Sequence, residues 1–213
     1  MKLPRVMLAD DHTMLIEAFR KLLEPRFEVV GTVSDGRALL ELAPVLRPDV
    51  LVLDISMPLM NGMEAGRKLQ NMMPAVKLIY LTMNEDPEIA LEAMRSGAAG
   101  YLLKKSAASE LFQAIQAALR GRRYVTPVIA HKLRDSLVRN PRRERRMKTI
   151  TSRQREVVQL LAEGKSMKEI AYILQLKPGT VAFHKYRIMD ILGIKSSAAL
   201  IEYAIRRHMI SPQ

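Results

Sequence analysis

The sequence predicts a parallel, doubly wound α/β domain of five strands followed by a small all-helical domain. Three observations predict it. Five short apolar runs alternate with amphipathic stretches over the first 120 residues, only helical patterns follow Thr151, and charge divides unevenly between the two regions. Residues 1–121 carry 14 Lys/Arg against 15 Asp/Glu, whereas residues 122–213 carry 20 against 7, so the formal charge of +12 resides in the second region. A basic region joined to a neutral one points to nucleic-acid binding by the former.

The apolar runs are Val6–Ala9, Val29–Val33, Val50–Leu53, Val76–Leu81 and Gly100–Leu103. None alternates with polar residues, as expected of strands covered on both faces. Between them His12–Leu23, Gly36–Leu46, Gly62–Met72, Pro87–Ser96 and Ser106–Leu119 have helical patterns. Alternating strand–helix units imply right-handed crossovers and a parallel sheet. Ligands of such sheets sit outside the carboxyl ends of the strands. A break follows Gly121. A short helix over Pro127–Val138 precedes the charge run Arg139–Lys148, whose proline and lack of apolar periodicity predict a flexible linker. The expected division is residues 1–121, a linker over 122–148, and a helical domain over 149–213.

The absence of cysteine excludes disulfides, thiolate catalysis and cysteine-based metal sites. No stretch approaches the roughly 20 apolar residues of a membrane span. The first apolar run stops at Asp10–Asp11, short of a signal-peptide core. A cytoplasmic protein with no membrane partner is expected.

The residues that end the inner strands carry the chemistry. Asp10–Asp11 end the first, Asp54 the third, Thr82 the fourth and Lys104 the fifth. In a parallel sheet all project from one edge. Three carboxylates brought together repel one another unless a cation joins them, and their hard oxygens suit Mg²⁺. A hydroxyl and an ammonium facing that ion supply donors for a phosphoryl group. Taken singly, each residue has a plainer reading as a helix cap, turn residue or surface lysine.

Over residues 4–120 the sequence resembles response-regulator receiver domains, through Asp10–Asp11, Leu53–Asp54–Ile–Ser–Met–Pro58 with Asn61–Gly62, Thr82 and Lys104. The resemblance implies a flavodoxin-like strand order 2-1-3-4-5. It implies that Asp54 is the phosphoacceptor, attacking a phosphohistidine of a cognate sensor histidine kinase. It also implies that Asp10, Asp11, the Asp54 carboxylate and the Ser56 carbonyl hold Mg²⁺. Lys104 would pair with the phosphoryl oxygens, Thr82 and Tyr101 would form the switch pair, and Ser56 and Asn84 would tune phosphoryl lifetime. Where the family often has proline after the active-site lysine, this sequence has Lys105.

In the basic region, Thr151 is a candidate N-cap, with Val157, Leu160 and Leu161 as an apolar stripe and Gly164 as the stop. Ser166–Met–Lys–Glu169 has the capping-box form. Pro178 suits the first turn of the next helix, where Val181, Ile188 and Leu192 face inward. Two short helices joined by a tight turn, the second basic and partly exposed, describe a helix-turn-helix. Residues 149–206 resemble the LuxR-type (NarL/FixJ class) DNA-binding domain, through Thr151–x–Arg153–x–x–Glu156–Val157, Gly164–x–Ser166–x–Lys168–Glu169–Ile170–Ala171, Thr180–Val181–x–x–His184 and Leu192–Gly193–Ile194.

Lys168, Thr180 and Lys185 are candidate phosphate contacts on double-stranded DNA. The resemblance puts Ala182, Phe183 and Tyr186 at base-reading positions, with Lys177 and Arg187 beside them. Phe183 suits a thymine methyl, and no bidentate guanine reader is evident. His184 reads as a packing histidine. The last helix, about Ser196–Arg207, pairs two such domains in the family, so a homodimer is expected on phosphorylation or on DNA. The expected protein is a transcription regulator and no enzyme beyond phosphotransfer to, and dephosphorylation of, its own Asp54.

Overall fold

The computed structural model describes residues 2–139, 150–207 and 209–210. Most of the basic run read as a linker therefore lies outside the described residues. The first region comprises β1 (Arg5–Ala9), α1 (Thr13–Leu23), β2 (Glu28–Val33), α2 (Gly36–Leu46), β3 (Val50–Asp54), α3 (Gly62–Met72), β4 (Lys77–Thr82), α4 (Pro87–Arg95), β5 (Gly100–Leu103) and α5 (Ala107–Leu119). These bounds differ from the sequence expectation by a residue at some ends, where fraying decides the assignment.

Every strand pairs in parallel, in the order β2-β1-β3-β4-β5-β6. Alternate residues of each strand serve opposite layers. Val6, Leu8, Val50, Val52, Ile79 and Leu81 pack under α1 and α5. Met7, Ala9, Leu51, Leu53, Leu78 and Tyr80 pack under α2, α3 and α4. Burial on both sides explains why the runs show no polar alternation.

The expected order of the first five strands, 2-1-3-4-5, holds, and one further strand extends the sheet. A sixth strand, β6 (Tyr124–Val125), adds to β5 with Gly100 opposite Tyr124 and Tyr101 opposite Val125. Two residues are too few to generate a periodic signal. Thr126 fastens this edge: its hydroxyl accepts from the Leu103 amide at 3.2 Å and donates to Glu110 Oε2 at 2.8 Å. The next helix, α6 (Pro127–Arg139), buries Ile129 in the α2–α3–α4 layer. Residues that begin the expected linker are thus packed on the sheet.

The second region contains α7 (Ser152–Ala162), α8 (Met167–Leu174), α9 (Pro178–Leu192) and α10 (Ser197–Arg206). Capping boxes open α7 (Thr151 with Gln154) and α8 (Ser166 with Glu169). Gln175 is left-handed in the turn between α8 and α9, and Gly193 is left-handed after α9. Lys177 precedes α9 without a side-chain cap, so Pro178 carries that start. Ile150, Val157, Leu160, Ile170, Leu174, Val181, Ile188 and Leu200 form a separate core.

Candidate functional site

The carboxyl edge of the sheet brings Asp10, Asp54 and Lys104 together. Lys104 Nζ lies 2.8 Å from Asp10 Oδ2 and 2.9 Å from Asp54 Oδ2. Both carboxylates are almost wholly buried, and neither of these oxygens has an aligned hydrogen-bond donor. Burial pushes the Asp54 carboxyl above its ordinary range, against the pull of Lys104. Burial works to lower Lys104 as well, but Asp54 and Asp10 outweigh it and hold the ammonium above its usual value.

Asp11 is exposed at the rim. His12, which sequence reasoning passed over, bridges the acidic pair: Nδ1 is 2.9 Å from both Asp10 Oδ1 and Asp11 Oδ1. Lys104 Nζ lies 3.4 Å from the same nitrogen. The adjacency of His12 to two carboxylates in the sequence was the available signal. Ligand atoms of Asp10, Asp11, His12 and Asp54 all lie within 4.8 Å of one another. Buried, donor-poor carboxylate oxygens in such a cluster fit a hard divalent cation.

The loop after β3 is shaped by close backbone approach. A Cβ on Gly62 would lie 2.0 Å from the Asp54 carbonyl oxygen. The Gly62 amide donates to the Ile55 carbonyl at 2.8 Å, closing the loop that holds Ser56. Thr82 is buried on β4, and its hydroxyl accepts from the Asn84 amide at 3.0 Å. Tyr101 is wholly buried beside it; its hydroxyl has no aligned partner, and burial raises the phenol's pKa. Lys105 pairs with Glu85, which also pairs with Lys132 on α6. Lys105 and Lys132 together pull the Glu85 carboxyl down to about 2.

In the helical region, Val181 and Ile188 anchor α9 to its core. Phe183 and Tyr186, one helical turn apart, are 66% and 65% exposed, so the outer face of α9 is aromatic and open. Lys177 and Arg187 are exposed, and Thr180, Ala182 and Lys185 half-buried, on the same helix or at its start. Arg187 is paired with Asp190 at 3.5 Å. Lys168 is exposed in the first turn of α8. His184 is half-buried, its ring edge-on to Phe183 with centroids 5.9 Å apart. Tyr172 on α8 is 87% exposed and was not singled out from sequence.

The response regulator receiver domain family matches residues 6–116, and the luxR family of bacterial regulatory proteins matches residues 148–204. The chain is a response regulator of the luxR family. Oxygen regulatory protein NreC of Staphylococcus aureus is 33% identical to this response regulator, covering 97% of the chain and 99% of that protein. The RcsB response regulator of Salmonella typhimurium aligns at a TM-score of 0.67 with 29% identity, over 95% of this chain and 97% of that one. An RcsB–DNA complex aligns at 0.60 with 29% identity, over 95% and 98%. A luxR-family regulator from Aurantimonas covers 64% of this response regulator and 99% of its own chain, at a TM-score of 0.62 and 36% identity.

Proposed function

We propose that this response regulator takes a phosphoryl group on Asp54 from a sensor histidine kinase, and that this changes the affinity of its helix-turn-helix for promoter DNA. One observation carries the reading: Asp54, Asp10 and Lys104 converge at the carboxyl edge of the sheet, buried and within ion-pair distance. An Asp54 oxygen attacks the phosphorus of the kinase phosphohistidine, the P–N bond breaks, and its electron pair stays on the imidazole nitrogen, which takes a proton from solvent. Lys104 then turns from the free carboxylate to the phosphoryl oxygens. A divalent ion, Mg²⁺, held by Asp10, Asp11, Asp54 and the Ser56 carbonyl would offset the charge gathering on those oxygens. Water attack at phosphorus restores the carboxylate and releases inorganic phosphate, so the chemistry is confined to the protein's own Asp54.

The Thr82 hydroxyl, now accepting from Asn84, turns to donate to the phosphoryl group, and Tyr101 moves into the space it leaves. The proposed receiver spans residues 1–121, the connection 122–148 begins packed on its sheet through β6 and α6, and the DNA-binding domain is 149–213. DNA is engaged by the α8–turn–α9 unit: Lys168, Lys177, Thr180, Lys185 and Arg187 meet phosphates, and Ala182, Phe183 and Tyr186 face base edges. Two copies pair through α10 on adjacent half-sites. The site of action is the cytoplasm, where the DNA lies. The test is promoter binding by the wild type and Asp54→Ala, with and without a small-molecule phosphodonor. The donor should alter binding by the wild type alone; an equal response in both removes Asp54 from the mechanism.

A further inference from the structure

The loop between β3 and α3 leads directly from Asp54, and α7 of the DNA-binding domain grips it. Gln159 is 1% exposed and both ends of its amide are committed to loop main chain. Its Oε1 accepts from the Asn61 amide at 2.8 Å, and its Nε2 donates to the Met57 carbonyl at 2.9 Å. The same Nε2 lies 2.7 Å from Glu163 Oε1, which accepts from the Leu59 amide at 3.1 Å. Asn61 N–H is a donor, so the orientation of the Gln159 amide follows from chemistry.

Leu59 between these contacts has φ +62°, a left-handed conformation unusual for a branched residue, and its side chain packs on the core of the DNA-binding domain. Three alternate loop positions, Met57, Leu59 and Asn61, are therefore held from outside the receiver. The grip is part of a single helix face: Ser152, Arg155, Glu156, Gln159 and Glu163 recur at helical spacing along α7. Ser152 and Arg155 meet the buried Glu64, while Glu156 meets Lys68 at 2.7 Å and Arg37 at 3.7 Å. The aromatic face of α9 remains open in this docked arrangement, so the contact does not act by covering it.

We propose that Gln159 is a positioning residue for the phosphoacceptor site: the DNA-binding domain fixes the Met57–Pro58 peptide, the unit next to the Ser56 carbonyl that the receiver uses to hold its divalent cation. The inference rests on the reading of Asp54, Asp10, Asp11 and Ser56 as the cation site. The Ser56 carbonyl adjoins the Met57 peptide fixed by Gln159, so loop order otherwise lost to chain entropy is supplied before the cation arrives. Linkage then runs both ways, and cation binding strengthens the grip of α7 on the loop.

The test uses the full chain and Mg²⁺ alone. Calorimetric Mg²⁺ titration should give Gln159→Met, which keeps the shape and loses all three side-chain hydrogen bonds, a three- to tenfold weaker affinity than wild type. An affinity for Gln159→Met within twofold of wild type overturns the proposal. A wild type that binds no Mg²⁺ instead overturns the cation-site reading beneath it. A measurement without mutation stands beside these: amide exchange at Leu59 and Asn61 of the wild type should slow when Mg²⁺ is added. Unchanged exchange, or exchange at the free-chain rate in both conditions, overturns the proposal as well.

Discussion

Asp54 sits where one backbone atom decides the geometry. Its carbonyl oxygen is so close to Gly62 that a Cβ would lie 2.0 Å away, against main chain that has no flexible end to yield. Gly62→Ala should therefore push the Ser56 loop off the strand end and cost about 1–3 kcal/mol, the range for overpacking a tight site. Urea unfolding measures that cost, and phosphodonor labelling of Asp54 should fall with it. Glu163 offers a test by pH. Burial holds its carboxyl above the ordinary value despite hydrogen bonds from Gln159 and Leu59. A raised acid pKa contributes stability below the unfolded value of 4.5 that is lost as pH rises through the folded value. At neutral pH the buried charge is a burden, so Glu163→Gln should melt slightly higher than wild type at pH 7. The gain should vanish at pH 4; equal melting at both pH values would contradict the burial cost. The cluster of Asp10, Asp54, Thr82 and Lys104 was legible in the sequence because each residue ends an apolar run. His12 and Gln159 were not, because their partners depend on side-chain direction and on a contact about 100 positions away in the chain.

At the level of elements, long periodic segments were readable and short ones were not. The helices of the first region recur in the structure within a residue or so, whereas β6 has only Tyr124 and Val125 to declare it. Thr126 fastens this pair, since its hydroxyl accepts from the Leu103 amide and donates a hydrogen bond to Glu110. Thr126→Val keeps the shape and removes both bonds, leaving a buried amide without an acceptor. The expected loss is about 1–3 kcal/mol, readable as a lower urea midpoint. On α9 the exposed aromatics set a different expectation. Phe183 and Tyr186 are exposed on this helix, and on the proposed reading contact with thymine methyls should carry much of the base preference. Replacing thymine by uracil within a bound site removes the methyl alone. Wild type should lose affinity at the contacted position, on the order of 1 kcal/mol, and Phe183→Ala should be indifferent to the exchange. Equal loss in both proteins would free Phe183 from that role.

For the molecule as a whole, charge was the most legible property and domain docking the least. Net charge is additive along the sequence, so the excess of positive residues after position 121 is visible at once. Docking depends on a polar stripe of α7 meeting Glu64, Lys68 and the loop after β3, a match between surfaces that neither segment announces alone. The two properties join in DNA binding. Each phosphate neutralised releases counterions, so the logarithm of affinity should fall with the logarithm of salt by roughly 0.9 per contact. Lys168→Ala and Lys185→Ala should each reduce that slope by about 1 and weaken binding to all sequences alike. The grip on the loop should leave the slope untouched, because Gln159 is neutral and lies on α7, away from the open face of α9. Gln159→Met should therefore shift affinity for DNA, with phosphodonor present, by the same factor at every salt concentration. A change of slope in that variant would mean that α7 itself, and not the phosphoacceptor loop, meets the DNA backbone.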